Sequence, residues 1–576
     1  MVNKMPEKNN ITILIGGAAG QGIQTIGSLL ARVCHNAGLF IFSTDEFESR
    51  IRGGHNTHLL RISNQPVVTP CLTPDILVAI DDKTYEFHKD DLAPEGIILV
   101  NKPLEISELS HVYNMPLEEY AIKLGEIIYS NTIAAGAVLA VLGAEYKDFQ
   151  LVLEKEFKNK GKKILNQNLK AGKLGFDIGR SIDFPNFFDF TKVDHGNIVM
   201  SGAKAAALGA LAADCRFFPF YPMSPGTPVV TNVVNNSKDL PVVVEQAEDE
   251  IAAVTMAVGA SFAGIRSLVA TSGGGFCLMT EGLGFAGITE TPLVIINAQR
   301  PGPATGLATR TAQADLLFTI NASHDEFPRF VFAPGGILET FNIVKKAVYL
   351  SEKYQVPSIV LMDHFLIDST MTEQKSFEVG NEYNGFLNSD TKLYQNEKYQ
   401  RYKLTETGIS PRILPCGSHD GFNALVRSTG NEHTEEGLSF EGLDNRNNMV
   451  KKRFKKSPMM EQEMGMPYIA HEQSKFFLTG WGSSKYSIME ACRRLKKRRF
   501  DVGCIIFEHI WPMDVSKLTR QLENKELIMV EGNATCQLGS LICQQTGIKY
   551  IASILKYDGR LISPEYIIKN AENIIG

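Results

Sequence analysis

The chain has 576 residues, of which 44% are hydrophobic and 21% are charged, and its formal net charge is −6. This composition is typical of a globular protein and excludes wholesale disorder. The acidic balance argues against nucleic acid as the main partner, because phosphate binding usually needs a basic surface. Residues 1–10 are polar, and the longest apolar run, 133–144, is too short to span a bilayer. We therefore expect a cytoplasmic protein that does not bind a membrane.

Nine cysteines are scattered along the chain, and no two of them form a Cys-x-x-Cys pair. An odd number of widely spaced cysteines is typical of reduced thiols and not of a disulfide framework. The usual ligand spacings of structural zinc and of iron–sulfur clusters are missing as well. We predict no metal site on this chain.

The first block of predicted elements covers residues 10–185. An apolar strand at 11–15 leads into the glycine-rich turn GGAAGQG (16–22), and the helical run that follows stops at Gly38. Further strand patterns lie at 39–43, 76–80 and 96–100. Strands that alternate with helices indicate an α/β domain with a mostly parallel sheet.

The rest of the chain forms three further blocks. Residues 195–375 repeat the α/β rhythm, and residues 471–576 return to it after an interruption. Residues 376–470 are rich in Asn, Lys, Glu and Tyr and show little periodicity. We expect this irregular insert to wrap a neighbouring part of the protein, because loops of such length seldom lack a role.

Two segments of the first block are candidate anion sites. Gly20, Gln21 and Gly22 form a strand-to-helix turn whose backbone N–H groups could receive a phosphate-bearing ligand such as coenzyme A. The same glycines could instead serve a tight turn and close packing. Arg52 belongs to ESRIRGGHNTHLLRIS (48–63), which could bind an anion, dock another subunit or form a solvated hairpin.

The second block carries three candidate site segments. YPMSPGTP (221–228) predicts a rigid loop that presents the hydroxyls of Ser224 and Thr227, or an inert turn. Four acidic residues, of which Glu250 is the last, open a helix of small residues, where they could cap the helix or transfer a proton. In QRPGPATGLATRTAQADL (299–316), Arg300 could bind a substrate carboxylate, although a surface salt bridge would explain Arg300 or Arg310 equally well.

These motifs resemble the 2-oxoacid:ferredoxin oxidoreductase family. Four further segments add to the resemblance: ATSGGGFCLMTEGLG (270–284), GNEHTEEG (430–437), KKRFKK and VEGNATCQLG (530–539). The chain is similar to the family's α subunit with the γ domain fused at the N-terminus. The resemblance implies a thiamine diphosphate enzyme that oxidatively decarboxylates a 2-oxoacid with coenzyme A and passes electrons to ferredoxin. It also implies an α/β fold with several open parallel-sheet domains: a γ domain (10–185), a pyrimidine-binding domain (195–375), the insert (376–470) and a transketolase C-terminal-like domain (471–576).

The resemblance also assigns roles to residues. The family's catalytic glutamate precedes a helical glycine by nine residues, which selects Glu250 before Gly259 and leaves Glu248 in reserve. Arg300 would act with Glu250 in catalysis. The remaining implied contacts are with the cofactor, at Ser224, Thr227, Gly273 and Gly274, and with the substrate, at Ser224, Arg300 and Arg310.

The chain lacks the GDG motif with which the family binds the Mg²⁺ of the diphosphate. The resemblance therefore places Mg²⁺ and a [4Fe-4S] cluster on a separate β subunit, in an (αβ)₂ assembly. The α subunit alone would then be inactive. The motifs favour 2-oxoglutarate, which would give succinyl-CoA. The alternatives are a pyruvate or branched-chain 2-oxoacid enzyme, or a non-catalytic nucleotide-binding or coenzyme A-binding assembly protein of the same fold.

Overall fold

A computed structural model describes residues 10–48, 53–101, 111–185, 188, 190, 196–374, 377, 386–387, 399–413, 418–419, 422–423 and 426–576. The chain divides into two compact units. The first combines Met1–Met200 with Asp368–Lys375, and the second combines Ser201–Ile367 with Ser376–Gly576. No helix in the described part of the chain is both long and apolar enough to cross a membrane.

Unit 1 contains an eight-stranded sheet flanked by helices. Its strands are β1 (Asn10–Ala19), β2 (Phe40–Phe47), β3 (Gly53–Ser63), β4 (Ile76–Ala79), β5 (Ile97–Val100), β6 (Val112–Asn114) and β7 (Ile198–Ser201), together with the later segment Thr370–Glu373. Its helices are α1 (Ile23–Asn36), α2 (Asp82–His88), α3 (Leu117–Leu124), α4 (Ser130–Val141), α5 (Tyr146–Phe157) and α6 (Lys162–Gly179). The strand order is β6-β5-β4-β1-β3-β2, followed by Thr370–Glu373 and β7.

The unit 1 sheet is mixed, and not mostly parallel as the alternation of elements suggested. β1, β4, β5 and β6 run parallel, whereas β3 pairs antiparallel with both β1 and β2. The reason is the short connection: only residues 48–52 separate β2 from β3, and parallel neighbours need a crossover of a dozen residues or more. The segment GGHNTHLLRIS is thus a central strand with buried side chains, so the solvated hairpin is excluded for its described residues.

Unit 2 begins with alternating strands and helices. They are α7 (Gly202–Ala212), β8 (Phe217–Phe220), α8 (Thr227–Asn236), β9 (Val243–Gln246), α9 (Glu250–Phe262), β10 (Leu268–Ser272), α10 (Gly273–Ile288), β11 (Leu293–Gln299), α11 (Leu316–Asn321), β12 (Phe330–Phe332), α12 (Ile337–Tyr354), β13 (Pro357–Asp363) and α13 (His364–Asp368). The segment Thr370–Glu373 of unit 1 follows as β14.

The remaining elements of unit 2 are β15 (Ser418–His419), β16 (Phe422–Asn423), α14 (Leu443–Phe454), α15 (Ser457–Glu463), β17 (Tyr468–Ala470), β18 (Phe476–Trp481), α16 (Lys485–Lys497), β19 (Val502–Phe507), β20 (His509–Trp511), α17 (Val515–Leu522), β21 (Glu526–Glu531), α18 (Gln537–Thr546), β22 (Ala552–Leu555) and α19 (Pro564–Ile575). Strands from both groups build two five-stranded sheets, ordered β10-β11-β13-β12-β20 and β17-β19-β18-β21-β22.

Both sheets are parallel apart from one edge strand each, β20 and β17. Every residue of β10, β11 and β13 is buried, as expected of parallel strands that helices cover on both faces. The three strands therefore form a rigid core. Their carboxyl ends meet at one edge, and this edge positions the candidate site.

Candidate active site

The edge where β10, β11 and β13 end is rich in buried polar side chains. Thr271 and Ser272 close β10, Asn297 and Gln299 close β11, and Asp363 closes β13. Parallel α/β sheets bind their ligands outside the carboxyl ends of the strands. Because burying polar groups costs free energy, so many of them at one edge indicate a site and not simply a core.

Glu250 is the first residue of α9, and it lies at this edge. Asp249 caps the helix, since its carboxylate accepts the backbone N–H of Ala252 at 2.7 Å. The Glu250 side chain is only 2% exposed, and its Oε1 has no hydrogen-bond partner among the described residues. Glu248, by contrast, is exposed. A buried carboxylate oxygen without a donor is costly unless a ligand supplies one, which favours Glu250 over Glu248 as the functional carboxylate.

The first turn of α10 packs directly on Glu250 and Thr271. A Cβ atom on Gly275 would lie 2.1 Å from Oγ1 of Thr271 and 2.6 Å from Oε1 of Glu250, closer than any real Cβ contact. The glycine is thus required for packing. Oγ1 of Thr271 and Oγ of Ser272 are also buried and lack a partner within the described part of the chain. The hydroxyls and the carboxylate form a polar surface whose hydrogen bonds are not completed by other residues that the structure describes.

The loop between β8 and α8 reaches the same edge. A Cβ on Gly226 would lie 3.1 Å from the backbone N and O of Thr271, so this loop packs tightly on the end of β10. The carbonyl oxygen of Ser224 accepts a hydrogen bond from Nη1 of Arg300 at 2.6 Å. Thr227 begins α8 immediately after Gly226. The structure therefore brings Ser224 and Arg300 together through the Ser224 backbone and not through its hydroxyl.

Arg300 follows β11 and is 8% exposed. Burial lowers the pKa of its guanidinium, and the nearby charge of Glu250 opposes that shift. Nε of Arg300 is buried and has no partner in the described ranges. A guanidinium with an unused donor beside a buried carboxylate is suited to hold a small anion such as a substrate carboxylate.

A second pair of polar groups lies beside the first turn of α10. Nδ2 of Asn297 donates to Oδ2 of Asp315 at 3.2 Å, and the backbone N–H of Asp315 donates to Oε1 of Gln299 at 3.1 Å. Burial raises the pKa of Asp315 to about 6, while the hydrogen bond from Asn297 lowers it. Oδ1 of Asn297 is fully buried and has no partner in the described structure.

The other predicted contacts are arranged differently. A Cβ on Gly273 would lie 2.2 Å from Oδ2 of Asp315, so this glycine makes room for a carboxylate of the same chain. Gly274 is exposed and borders no close neighbour. Arg310 packs against Gly559, where a Cβ would lie 3.0 Å from Cβ of Arg310. Arg310 thus contacts the C-terminal part of unit 2.

The predicted anion turn lies in unit 1, at the junction of β1 and α1. Oε1 of Gln21 accepts the backbone N–H of Ala18 at 2.6 Å, and Gly20 and Gly22 have φ values of 94° and 79°. A Cβ on Gly22 would lie 1.9 Å from Nδ2 of Asn131. These glycines are explained by the turn and its packing. A cavity of about 70 Å³ beside Gln21 is lined by acidic residues, which disfavours an anion: Asp81, Asp82 and Glu118. Arg52 lies outside the described residues.

The sequence analysis missed Thr271, Ser272, Asn297 and Asp315 as site residues. A signal was present, because the first three are the polar residues with which two apolar strands end. Asp315 had no comparable signal, since it follows its partner Asn297 by 18 residues in an irregular loop.

Comparison with known proteins identifies the family. The sequence profile described as "Pyruvate flavodoxin/ferredoxin oxidoreductase, thiamine diP-bdg" matches residues 208–452, and that described as "Pyruvate ferredoxin/flavodoxin oxidoreductase" matches residues 12–178. The 2-oxoacid:ferredoxin oxidoreductase subunit alpha of Sulfolobus sp. is 31% identical over 95% of this chain and 94% of its own length. The chain belongs to the 2-oxoacid:ferredoxin oxidoreductase α subunits.

Other relatives of this α subunit agree. The 2-oxoglutarate oxidoreductase subunit KorA of Mycobacterium tuberculosis is 27% identical over 85% of this chain and 80% of its own length. A solved 2-oxoglutarate:ferredoxin oxidoreductase from Magnetococcus marinus, described with 2-oxoglutarate, coenzyme A and succinyl-CoA bound, shares 30% identity and a TM-score of 0.90 over 99% of this chain and 100% of its own. The resemblance stated from the motifs is thereby confirmed, and so is the α/β fold class with several sheets.

Proposed function

We propose that this α subunit acts in the oxidative decarboxylation of 2-oxoglutarate to succinyl-CoA, with coenzyme A as co-substrate and ferredoxin as electron acceptor. The observation that carries the proposal is the buried carboxylate oxygen of Glu250, which lies near Arg300 and has no hydrogen-bond partner among the residues that the structure describes. The substrate class is supported by the relatives that are described as 2-oxoglutarate enzymes.

The residues at the edge fit the pyrimidine part of thiamine diphosphate and not its diphosphate. Glu250 offers a carboxylate oxygen that lacks a donor, and Thr271 and Ser272 offer hydroxyls that lack partners, all within the described structure. The first turn of α10, which could otherwise receive a phosphate, is covered by the carboxylate of Asp315. We infer that Mg²⁺ and the diphosphate are held by a β subunit, which also carries the [4Fe-4S] cluster, in an (αβ)₂ complex in the cytoplasm.

When bound, the cofactor supplies a nucleophilic carbon and the electron sink for decarboxylation. Glu250 would hold the proton shared with the pyrimidine ring nitrogen, a role that needs a carboxylate kept away from water. Arg300 orients the 2-oxoacid through its carboxylate, with the Ser224 carbonyl fixing the guanidinium. The same loop also carries the hydroxyls of Ser224 and Thr227, for which we propose contacts with the cofactor.

The remaining predicted contacts keep their proposed roles. Gly273 and Gly274 lie next to the cofactor's pyrimidine side, and Arg310 serves substrate binding. An anion-binding role in coenzyme A recognition remains a proposal for Gly20, Gln21, Gly22 and Arg52, and the acidic residues that line the cavity beside Gln21 weigh against it. The four-part division into a γ domain, a pyrimidine-binding domain, a wrapping insert and a transketolase C-terminal-like domain also remains our proposal.

The surface next to Glu250 supports a partner subunit. On α9, Ile251 is 50% exposed and Met256 is 42% exposed, and on α10, Leu278 and Phe285 are 49% and 40% exposed. The two helices pack against each other, and these four side chains are the large apolar residues that they leave exposed. Large exposed apolar surfaces of this kind mark protein interfaces. We assign this surface to the β subunit.

The test uses α reconstituted with its β subunit and assayed without oxygen for viologen reduction with a panel of 2-oxoacids. We expect coenzyme A-dependent turnover to be highest with 2-oxoglutarate. Glu250→Gln should lower turnover by roughly 100-fold or more, because a positioned proton-transfer group contributes about 10²–10⁴ in rate. Glu248→Gln, two residues away and exposed, is the matched control and should keep its activity. Full turnover by Glu250→Gln, or a preference for pyruvate, would contradict the proposal.

A further inference from the structure

Asp315 is a largely buried carboxylate beside the active site that has no role in the chemistry described above. Its Oδ2 lies over the first residue of α10, where a Cβ on Gly273 would clash at 2.2 Å. It accepts one side-chain hydrogen bond, from Nδ2 of Asn297 at 3.2 Å. Burial raises its pKa to about 6, so a carboxylate that is ionised at neutral pH is kept here at a cost to stability.

The partner of Asp315 points to a role in the site. An asparagine amide can donate from Nδ2 or accept at Oδ1, and its environment decides which group faces which way. Asp315 accepts from Nδ2 and thereby fixes the amide of Asn297 with Oδ1 directed elsewhere. This Oδ1 is fully buried and has no partner in the part of the chain that the structure describes. It is an acceptor that lacks a donor.

Asn297 belongs to the same row of groups as Glu250. It is the register partner of Thr271 in the parallel pair β10–β11, so the two side chains lie on the same face of the sheet. Thr271 and Glu250 both border Gly275 within 2.6 Å of its missing Cβ. Three atoms therefore follow one another across the ends of two strands, and none of them has a partner in the described ranges: Oε1 of Glu250, Oγ1 of Thr271 and Oδ1 of Asn297.

We propose that Asp315 is a positioning residue of the active site, which acts by holding the side-chain amide of Asn297 so that Oδ1 is presented as an acceptor in the row that ends at Glu250. This inference rests on the proposed function of the site. The backbone of Asp315 is held independently by Oε1 of Gln299, so a change of its side chain leaves the loop in place.

The decisive variant is Asp315→Leu, which keeps the approximate size of the side chain and removes both its charge and the oxygens that accept from Asn297. In the reconstituted αβ complex, we expect kcat to fall at least tenfold while the KM for the 2-oxoacid changes less than threefold, because Arg300 is untouched. The second readout is the melting temperature of the full α chain at pH 7.5, which should stay equal or rise, because a costly buried charge is gone. A fall in both kcat and melting temperature would assign Asp315 a merely structural role and overturn the proposal.

A double variant tests the orientation of the amide. Asn297→Asp together with Asp315→Asn reverses the hydrogen bond and still leaves a carboxylate oxygen at position 297 to act as acceptor. We expect this pair to recover part of the turnover lost in Asp315→Leu, and we expect thiamine diphosphate affinity, measured by titration calorimetry, to recover with it. A double variant no better than Asp315→Leu would refute the orientation argument.

Glu326→Gln, an exposed acidic residue of unit 2, is the control and should match the wild type in every readout. If the wild-type complex itself oxidises no 2-oxoacid, the proposed function fails. Melting temperature and cofactor affinity would then still decide whether Asp315 is a costly charge that the site retains.

Discussion

Glu290 is a fully buried carboxylate that binds two buried ammonium groups. It follows α10, is 1% exposed, and accepts hydrogen bonds from Nζ of Lys452 at 2.5 Å and from Nζ of Lys456. The two lysines are 1% and 0% exposed and come from α14 and the residue before α15. Arg401 adds a third cation, which donates to the backbone carbonyl of Glu290. This cluster fastens the later segment of unit 2 to the end of α10.

The cluster holds more positive than negative charge, and this imbalance determines how much stability the loss of Glu290 should cost. Burial lowers the pKa of Lys452 to about 8 and also lowers that of Lys456, because one carboxylate cannot compensate two ammonium groups. The two lysines in turn hold the pKa of Glu290 well below its usual value of 4.5. Glu290→Gln leaves both ammonium groups without a counter-charge. Breaking a buried ion pair in this way costs about 3–5 kcal/mol, and we expect Glu290→Gln to lower the free energy of unfolding by that amount.

The assay is chemical denaturation of the full α chain, followed by circular dichroism and by proteolysis within residues 443–463. Glu326→Gln, which is exposed, serves as the control and should change the free energy of unfolding by less than about 0.5 kcal/mol. Adding Lys452→Met and Lys456→Met to Glu290→Gln should restore stability, because well-packed apolar residues can replace buried charges. A loss below about 1 kcal/mol in Glu290→Gln would refute the reasoning.

The pH dependence has a definite sign. The depressed pKa of Glu290 means that its stabilisation is present above pH 4.5 and is lost as the pH falls. The depressed pKa of Lys452 means that the unfolded chain binds more protons between pH 8 and 10.5, so stability should rise with pH in that window. Lys452→Met should remove this rise.

Three further predictions follow from single contacts. Gly275→Ala should abolish turnover and lower thiamine diphosphate affinity, because the new methyl would meet Thr271 and Glu250 at 2.1 and 2.6 Å; unchanged calorimetric binding would contradict this. Glu531→Gln should lower the free energy of unfolding by on the order of 3 kcal/mol, because this buried carboxylate accepts four hydrogen bonds and the amide NH₂ of glutamine would face an N–H donor instead. Denaturant titration measures this change in free energy. Burial lowers the pKa of His509 to about 4, so the unfolded chain takes up its proton first as the pH falls from 6.5 to 4, and stability drops by about 3 kcal/mol. His509→Gln should flatten this part of the profile of melting temperature against pH.

The sequence by itself determined the α/β class, the family and the segment that carries the candidate catalytic carboxylate. Alternating strand and helix patterns are local signals, and so are glycine-rich loops at strand ends. The spacing of Glu250 to Gly259 along one helix is local too, and the exposure of Glu248 agrees with the choice between the two glutamates. Such features depend on neighbouring residues, and for this reason they can be predicted without a structure.

Only the tertiary structure decided which distant groups meet. The position of β3 between β1 and β2 depends on how the strands of unit 1 assemble, and Asn297 meets Asp315 across 18 residues. Glu290 meets Lys456 across 166 residues, and the basic motif KKRFKK does not by itself predict that Lys456 is buried. Whether a charged residue is exposed or buried depends on what folds over it, and this is set by the packing of remote segments.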